Sequence, residues 1–222
     1  MVNNTKNGFT LAEVLITLVI IGIVAALTIP TAINNYRKQE YVAGLKKAYS
    51  VLSQSLYKMG QNKGYPIGDY SFLKDINFIN EFSKVVSVVT KDNSISGCFG
   101  EDYETKYTTL DKSQNGLGDN NSSQCCITAD GMIYGYRSTS VSNVSLQHGL
   151  SAQDASNTFA WIAVDVNGEK GPNVWGRDLF LFDVTATKGI LPAGNESSAN
   201  CKMSSTGFVC TAKVLKENAI NY

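Results

Sequence analysis

The chain has little of what most catalytic centres use. Its 222 residues include one histidine, His148, so neither a two-histidine zinc site nor acid–base work between two imidazoles can be built. A cysteine–histidine nucleophile would need that ring beside a cysteine, yet His148 lies in a Ser-, Asn- and Gln-rich stretch, residues 138–156, that reads as loop. No glycine-rich phosphate loop is present, and an enzyme is not expected. Net charge is also lacking: 19 Lys plus Arg balance 19 Asp plus Glu, so no long-range field favours nucleic acid, and no nucleic-acid partner is expected. Charged residues make up only 17% of the chain, while Gly, Ser, Thr and Asn crowd the part after about residue 90. That composition suits a β-rich domain with polar turns and argues against a helical bundle.

Cysteine is missing from everything before Cys98. The five that follow, Cys98, Cys125, Cys126, Cys201 and Cys210, point to an oxidising compartment for that part of the chain, where disulfides persist. An odd number leaves one thiol over. Cys201 with Cys210, close in sequence around a glycine-containing turn, is the favoured bridge, and Cys98 with Cys125 or Cys126 the second; buried reduced thiols are the alternative. The adjacent Cys125-Cys126 pair lacks the CxxC spacing of a redox or metal site.

What is present is a long apolar run. Residues 9–30, FTLAEVLITLVIIGIVAALTIP, carry one charge, Glu13. As a helix they cover roughly 33 Å, about the hydrocarbon thickness of a bilayer. Ahead lie eight polar residues, MVNNTKNG, in which Lys6 is the only charged side chain. A general secretory signal, cut after Val24-Ala25-Ala26 to leave Leu27 as the first residue, would explain the apolar stretch. It does not explain Glu13, because a carboxylate near the membrane interior costs roughly 2.5–3.5 kcal/mol on insertion scales and has no reason to persist in a disposable segment.

The run Gly8-Phe9-Thr10-Leu11-Ala12-Glu13, followed at once by an apolar helix, resembles the prepilin processing motif of type IV pilins and type II secretion pseudopilins. The close resemblance covers residues 6–30. It implies cleavage between Gly8 and Phe9 by a prepilin peptidase and methylation of the new amine on Phe9, with the helix kept in the product. The family's acid falls on Glu13, and its frequent helix glycine and proline fall on Gly22 and Pro30, where the helix is expected to bend or melt locally. The resemblance also implies other pilin-like subunits, an inner-membrane assembly platform driven by a cytoplasmic ATPase, and membrane lipid as partners. The expected location is the bacterial inner membrane, with the carboxy-terminal domain outside the cytoplasm.

The chemistry of the acid agrees. After cleavage Phe9 carries a cation at a helix end, and Glu13 follows one turn later on the same face. Pairing within one subunit is awkward, whereas the carboxylate of one subunit can meet the amine of a staggered neighbour and so set axial register. One signal disagrees. Lys6 and the starting amine stand against Arg37 and Lys38, with Lys46 and Lys47 beyond, so the positive-inside rule alone does not place the amino terminus in the cytoplasm.

Beyond Pro30, Val42, Leu45, Tyr49, Leu52, Leu56 and Met59 recur at gaps of three and four, one stripe of a helix that the Gly60–Pro66 stretch stops. Phe72, Ile76, Ile79, Phe82, Val86 and Val89 predict a second amphipathic helix over 72–89. Asp130-Gly131 between two short runs predicts a hairpin over 126–134; residues 159–166 and 179–184 read as two more strands, and 208–217 as a short helix. The expected organisation is a leader (1–8), a transmembrane helix (9–30), an amphipathic continuation (31–66) and a globular α+β domain (67–222), with a small antiparallel sheet laid on the long helix, as in the pilin fold.

Between two of those strands, Asp165, Asn167, Glu169 and Asp178 gather oxygen donors in a glycine-bearing loop. Calcium takes six to eight such oxygens, and the resemblance makes it relevant, since some major pseudopilins bind calcium in a comparable loop; the bland alternative is Asp and Asn side chains capping their own backbone. The functional expectation is a structural filament subunit, a pseudopilin or minor pilin. The competing expectation is a membrane-tethered or secreted disulfide-containing binding module whose 138–156 region meets a ligand.

Overall fold

A computed structural model describes residues 8–113, 123–138, 148–194 and 200–222. One helix, α1, runs Leu11–Lys63. It stays helical through Gly22 and Pro30, so the local melting expected there is not seen; proline removes one N–H from the ladder, and the bonds on either side carry the turn. The helix ends where glycine permits it. Gly64 takes φ +77°, its N–H donates to the Gln61 carbonyl, and the Tyr65 N–H donates to the Gly60 carbonyl, which together close a Schellman cap.

The chain forms two units, Met1–Gln39 and Glu40–Tyr222. In the first, the apolar side chains of α1 are exposed all round, from Leu11 at 78% to Ile29 at 54%. A helix apolar on every side has no internal partner for its surface and needs an apolar surrounding. Its length and composition suffice to cross a membrane.

In the second unit the stripe on α1 is buried as its spacing predicts: Val42, Leu45, Leu52, Leu56 and Met59 lie within the core and Tyr49 packs against it. They cover one face of a six-stranded antiparallel sheet in sequential order β1 to β6: Val88–Asp92, Ser123–Thr128, Ile133–Ser138, Thr158–Asp165, Leu179–Thr185 and Gly189–Pro192. Tyr49 stacks on Phe182, and Tyr134, Ile162, Val164 and Phe180 complete this layer. The opposite face, carrying Cys125, Trp161, Ala163, Leu179 and Leu181, is closed by short helices α3 (Ser96–Phe99) and α4 (Tyr103–Lys106) with Tyr107 and Trp175. Covered on both sides, β4 and β5 are buried at every residue, which is why they read as continuous apolar runs.

The predicted helix over 72–89 is instead three elements: a 3₁₀ turn Ser71–Asp75, a one-turn helix α2 (Phe78–Phe82) and the edge strand β1. Phe78 stacks on Tyr136 and Phe82 tilts onto Tyr134, so these rings keep their helical spacing only long enough to reach the sheet. The β-branched run that follows pairs with β2. Within the stretch read as loop at 138–156, α5 (Ala152–Asn157) is present, while residues 139–147 lie outside the described residues. The carboxy-terminal helix appears as a 3₁₀ turn Phe208–Cys210 followed by α6 (Thr211–Glu217). Cys98–Cys125 ties α3 to β2, and Cys201–Cys210 closes the carboxy-terminal loop. Cys126, on the opposite face of β2 from Cys125, is the free thiol; burial pushes it up to about 12, so it is an inert core residue.

Candidate functional site

The first turn of α1 is a reciprocal cap. The Thr10 N–H and the Thr10 hydroxyl both donate to Glu13 Oε2 at 2.8 Å, and the Glu13 N–H donates back to Thr10 Oγ1 at 3.3 Å. This is a capping box, T-x-x-E, in which two of the helix's orphan donors are satisfied by side chains and the carboxylate meets the positive end of the helix dipole. Thr10 and its bonds to Glu13 were missed in the sequence, although the T-x-x-E spacing signals them. Both accepted bonds fall on Oε2, leaving Oε1 without a donor among the described residues. Phe9 is 89% exposed, and nothing approaches within 4 Å of where a Cβ on Gly8 would sit. Among the described residues the bond between them therefore stands clear of other side chains.

The second candidate is the loop between β4 and β5. Asp165 is fully buried; its Oδ2 accepts from the Tyr107 hydroxyl at 2.7 Å and its Oδ1 from the Asn167 N–H at 3.2 Å. Asp178, also fully buried, accepts from the Asn173 and Val174 N–H groups at 2.8 Å each. Burial, with the neighbouring Asp178 charge, pushes Asp165 up to about 8 despite the Tyr107 bond, and burial raises Asp178 as well. Asn167 donates to the Lys170 and Gly171 carbonyls. Glu169 is turned away, its side chain 65% exposed and 3.7 Å from the Lys106 ammonium.

Among the described residues no three His, Cys, Asp or Glu side chains converge as a metal cluster. Two buried acceptors do lack a donor, Asn167 Oδ1 and Asn173 Oδ1. The loop oxygens without a donor are thus Asn167 Oδ1 and Asn173 Oδ1, beside the two buried carboxylates of Asp165 and Asp178, whose oxygens already accept bonds.

A third buried polar group escaped the sequence reading. His148 Nδ1 meets Asp183 Oδ1 at 2.7 Å on the sheet face away from α1, with Asp183 wholly buried and its Oδ2 unpartnered. Burial raises the Asp183 carboxyl and the imidazole opposes it. Their separation of 35 residues leaves no local signal that could have paired them.

A long amino-terminal helix, apolar and uncovered at first and then packed on an antiparallel sheet in the Glu40–Tyr222 unit, defines an α+β chain of pilin-like architecture. Residues 3–29 match the family model of the prokaryotic N-terminal methylation motif, the signature of type IV pilins and pseudopilins. Neither the curated proteins nor the solved structures contain a match to it.

Proposed function

We propose that this chain is a pseudopilin or minor pilin: a structural subunit made as a precursor, cut between Gly8 and Phe9, methylated on the Phe9 amine and assembled through α1 into a filament serving protein secretion or pilus assembly. The observation that carries the reading is the uncovered apolar surface of the part of α1 within Met1–Gln39, beginning directly after the processing motif, with a single acid at its first turn. Held in the inner membrane, that surface is satisfied by lipid; in a filament it is satisfied by the same surface on neighbours. Glu13 contributes in two ways. Oε2 caps its own helix, and Oε1 remains to accept a neighbour's Phe9 amine, which offsets the cost of burying both charges only in the correct register. Replacing Glu13 with valine tests this: the variant should be processed and membrane-held yet left out of filaments, and normal incorporation would remove the role.

A calcium ion in the β4–β5 loop is a separable part of the proposal. Asp165, Asp178, Asn167 and Asn173 would hold it, and its charge would offset the repulsion between two buried carboxylates. Melting the protein with calcium and with chelator tests it; coincident curves would retire the metal.

A further inference from the structure

Maturation, on the reading above, changes which end of the membrane helix carries positive charge. The leader takes with it Lys6 and the original amine, and leaves the new Phe9 amine in their place. Arg37 and Lys38, at the other end of the apolar run, stay.

The helix is unbroken from Leu11 through Lys63, so its rise fixes where they lie. Leu11 to Tyr36 is 36 − 11 = 25 steps, about 38 Å at 1.5 Å per residue. A bilayer with its headgroups is about 40–45 Å thick around a hydrocarbon core of about 30 Å, so a chain with Thr10 and Glu13 at one interface has Tyr36 and Arg37 among the headgroups of the other. The surface agrees with the arithmetic. Ile29, Ile33, Tyr36 and Arg37 follow at gaps of four, three and one and share a face, with Ile29, Ile33 and Tyr36 exposed by 54%, 46% and 69%; Arg37 is exposed too. An aliphatic line thus ends in a phenol and a guanidinium, the order in which a membrane passes from chains to glycerol to phosphate. Asn34 and Asn35 add polar side chains at the same level, just past the apolar run. Lys38 is half-buried and already partnered, whereas Arg37 is exposed, so Arg37 is the cation presented.

We infer that Tyr36 and Arg37 form a collar that binds the phosphate of anionic lipids in the leaflet away from the cytoplasm and holds the processed subunit at the correct depth until it is drawn into a filament. Guanidinium takes phosphate through two parallel N–H···O bonds, and the phenol anchors the ring at the same depth. The collar is the counterpart of the lost leader: before cleavage positive charge grips both faces, afterwards mainly the outer one. This inference rests on the membrane-anchored reading of α1.

The test uses the full-length chain in phosphatidylcholine vesicles with and without phosphatidylglycerol. A nitroxide at Asn35→Cys reports depth and mobility, and Cys126, buried in the core, is shielded from label. The label should sit at phosphate depth and be immobilised by phosphatidylglycerol. In the Arg37→Gln background, half-saturation of that response should need about fivefold more of the lipid. A label in bulk water, an unchanged response in Arg37→Gln, or cancellation of the response by inorganic phosphate would overturn the collar. A second label at Ile20→Cys separates the two failures: hydrocarbon depth there with no phosphate-level signal at Asn35 sinks the collar alone, whereas no hydrocarbon depth at Ile20 sinks the anchor and the collar together.

Discussion

Thr10 and Glu13 bond each other in both directions across the first turn of α1, so the acid that the processing motif places in an apolar helix is already in use within its own chain. The carboxylate need not wait unpaired for a neighbour. On the proposed reading the cap shields it before assembly, and a neighbour's cation would be added at the oxygen left over.

Removing the hydroxyl therefore has a local cost. Thr10→Ala should fray the helix start by about 1 kcal/mol, seen as faster hydrogen exchange at the Glu13 and Val14 amides in membrane-mimetic conditions, with the Glu40–Tyr222 unit unaffected. Equal protection in the variant would mean the box contributes nothing.

The Asp165 carboxyl imposes a pH slope. Its folded value, about 8, lies above the ordinary aspartate value of about 3.9, so between these limits the folded chain holds a proton that the unfolded chain releases. Stability from this group is complete below about pH 4 and falls as pH rises towards 8. With chelator present, the melting temperature should fall over that range, and Asp165→Asn, whose carbonyl still accepts from Tyr107, should flatten the slope. A parallel slope in the variant would assign the pH dependence elsewhere.

His148 and Asp183 should be far from additive. Truncating the ring in His148→Ala leaves a buried carboxylate with no partner and should cost roughly 3–5 kcal/mol, while Asp183→Asn, which removes the charge and keeps the shape, should cost less. The double variant should recover part of the loss, measured by denaturant unfolding; additive losses would show that the two groups do not interact.

Periodicity and turn chemistry made much of this legible. The gaps of three and four from Val42 to Met59 located the buried stripe, Asp130-Gly131 located the β2–β3 hairpin, and the nine-residue spacing of Cys201 and Cys210 located a bridge that is present. The sequence left Cys98 with two possible partners. Strand alternation chose between them: Cys125 faces α3 and Cys126 faces α1. Residues 72–89 misled because Phe78, Ile79 and Phe82 do lie on one helical face, but for a single turn, after which sheet pairing overrides the spacing. The loop at 165–178 showed its oxygens without their directions: Glu169 points to Lys106, while Asn173, unremarkable in sequence, turns a bare oxygen inward. The Asp183–His148 contact had no signal to read, because only the folded sheet brings β5 and residue 148 together.

The most direct test of the account is the amino-terminal mass of the protein recovered from membranes. A chain beginning at Phe9 with one added methyl group is the predicted result, because the helix must survive processing to anchor and then to assemble. A chain beginning at Leu27, or one still beginning at Met1, would contradict it.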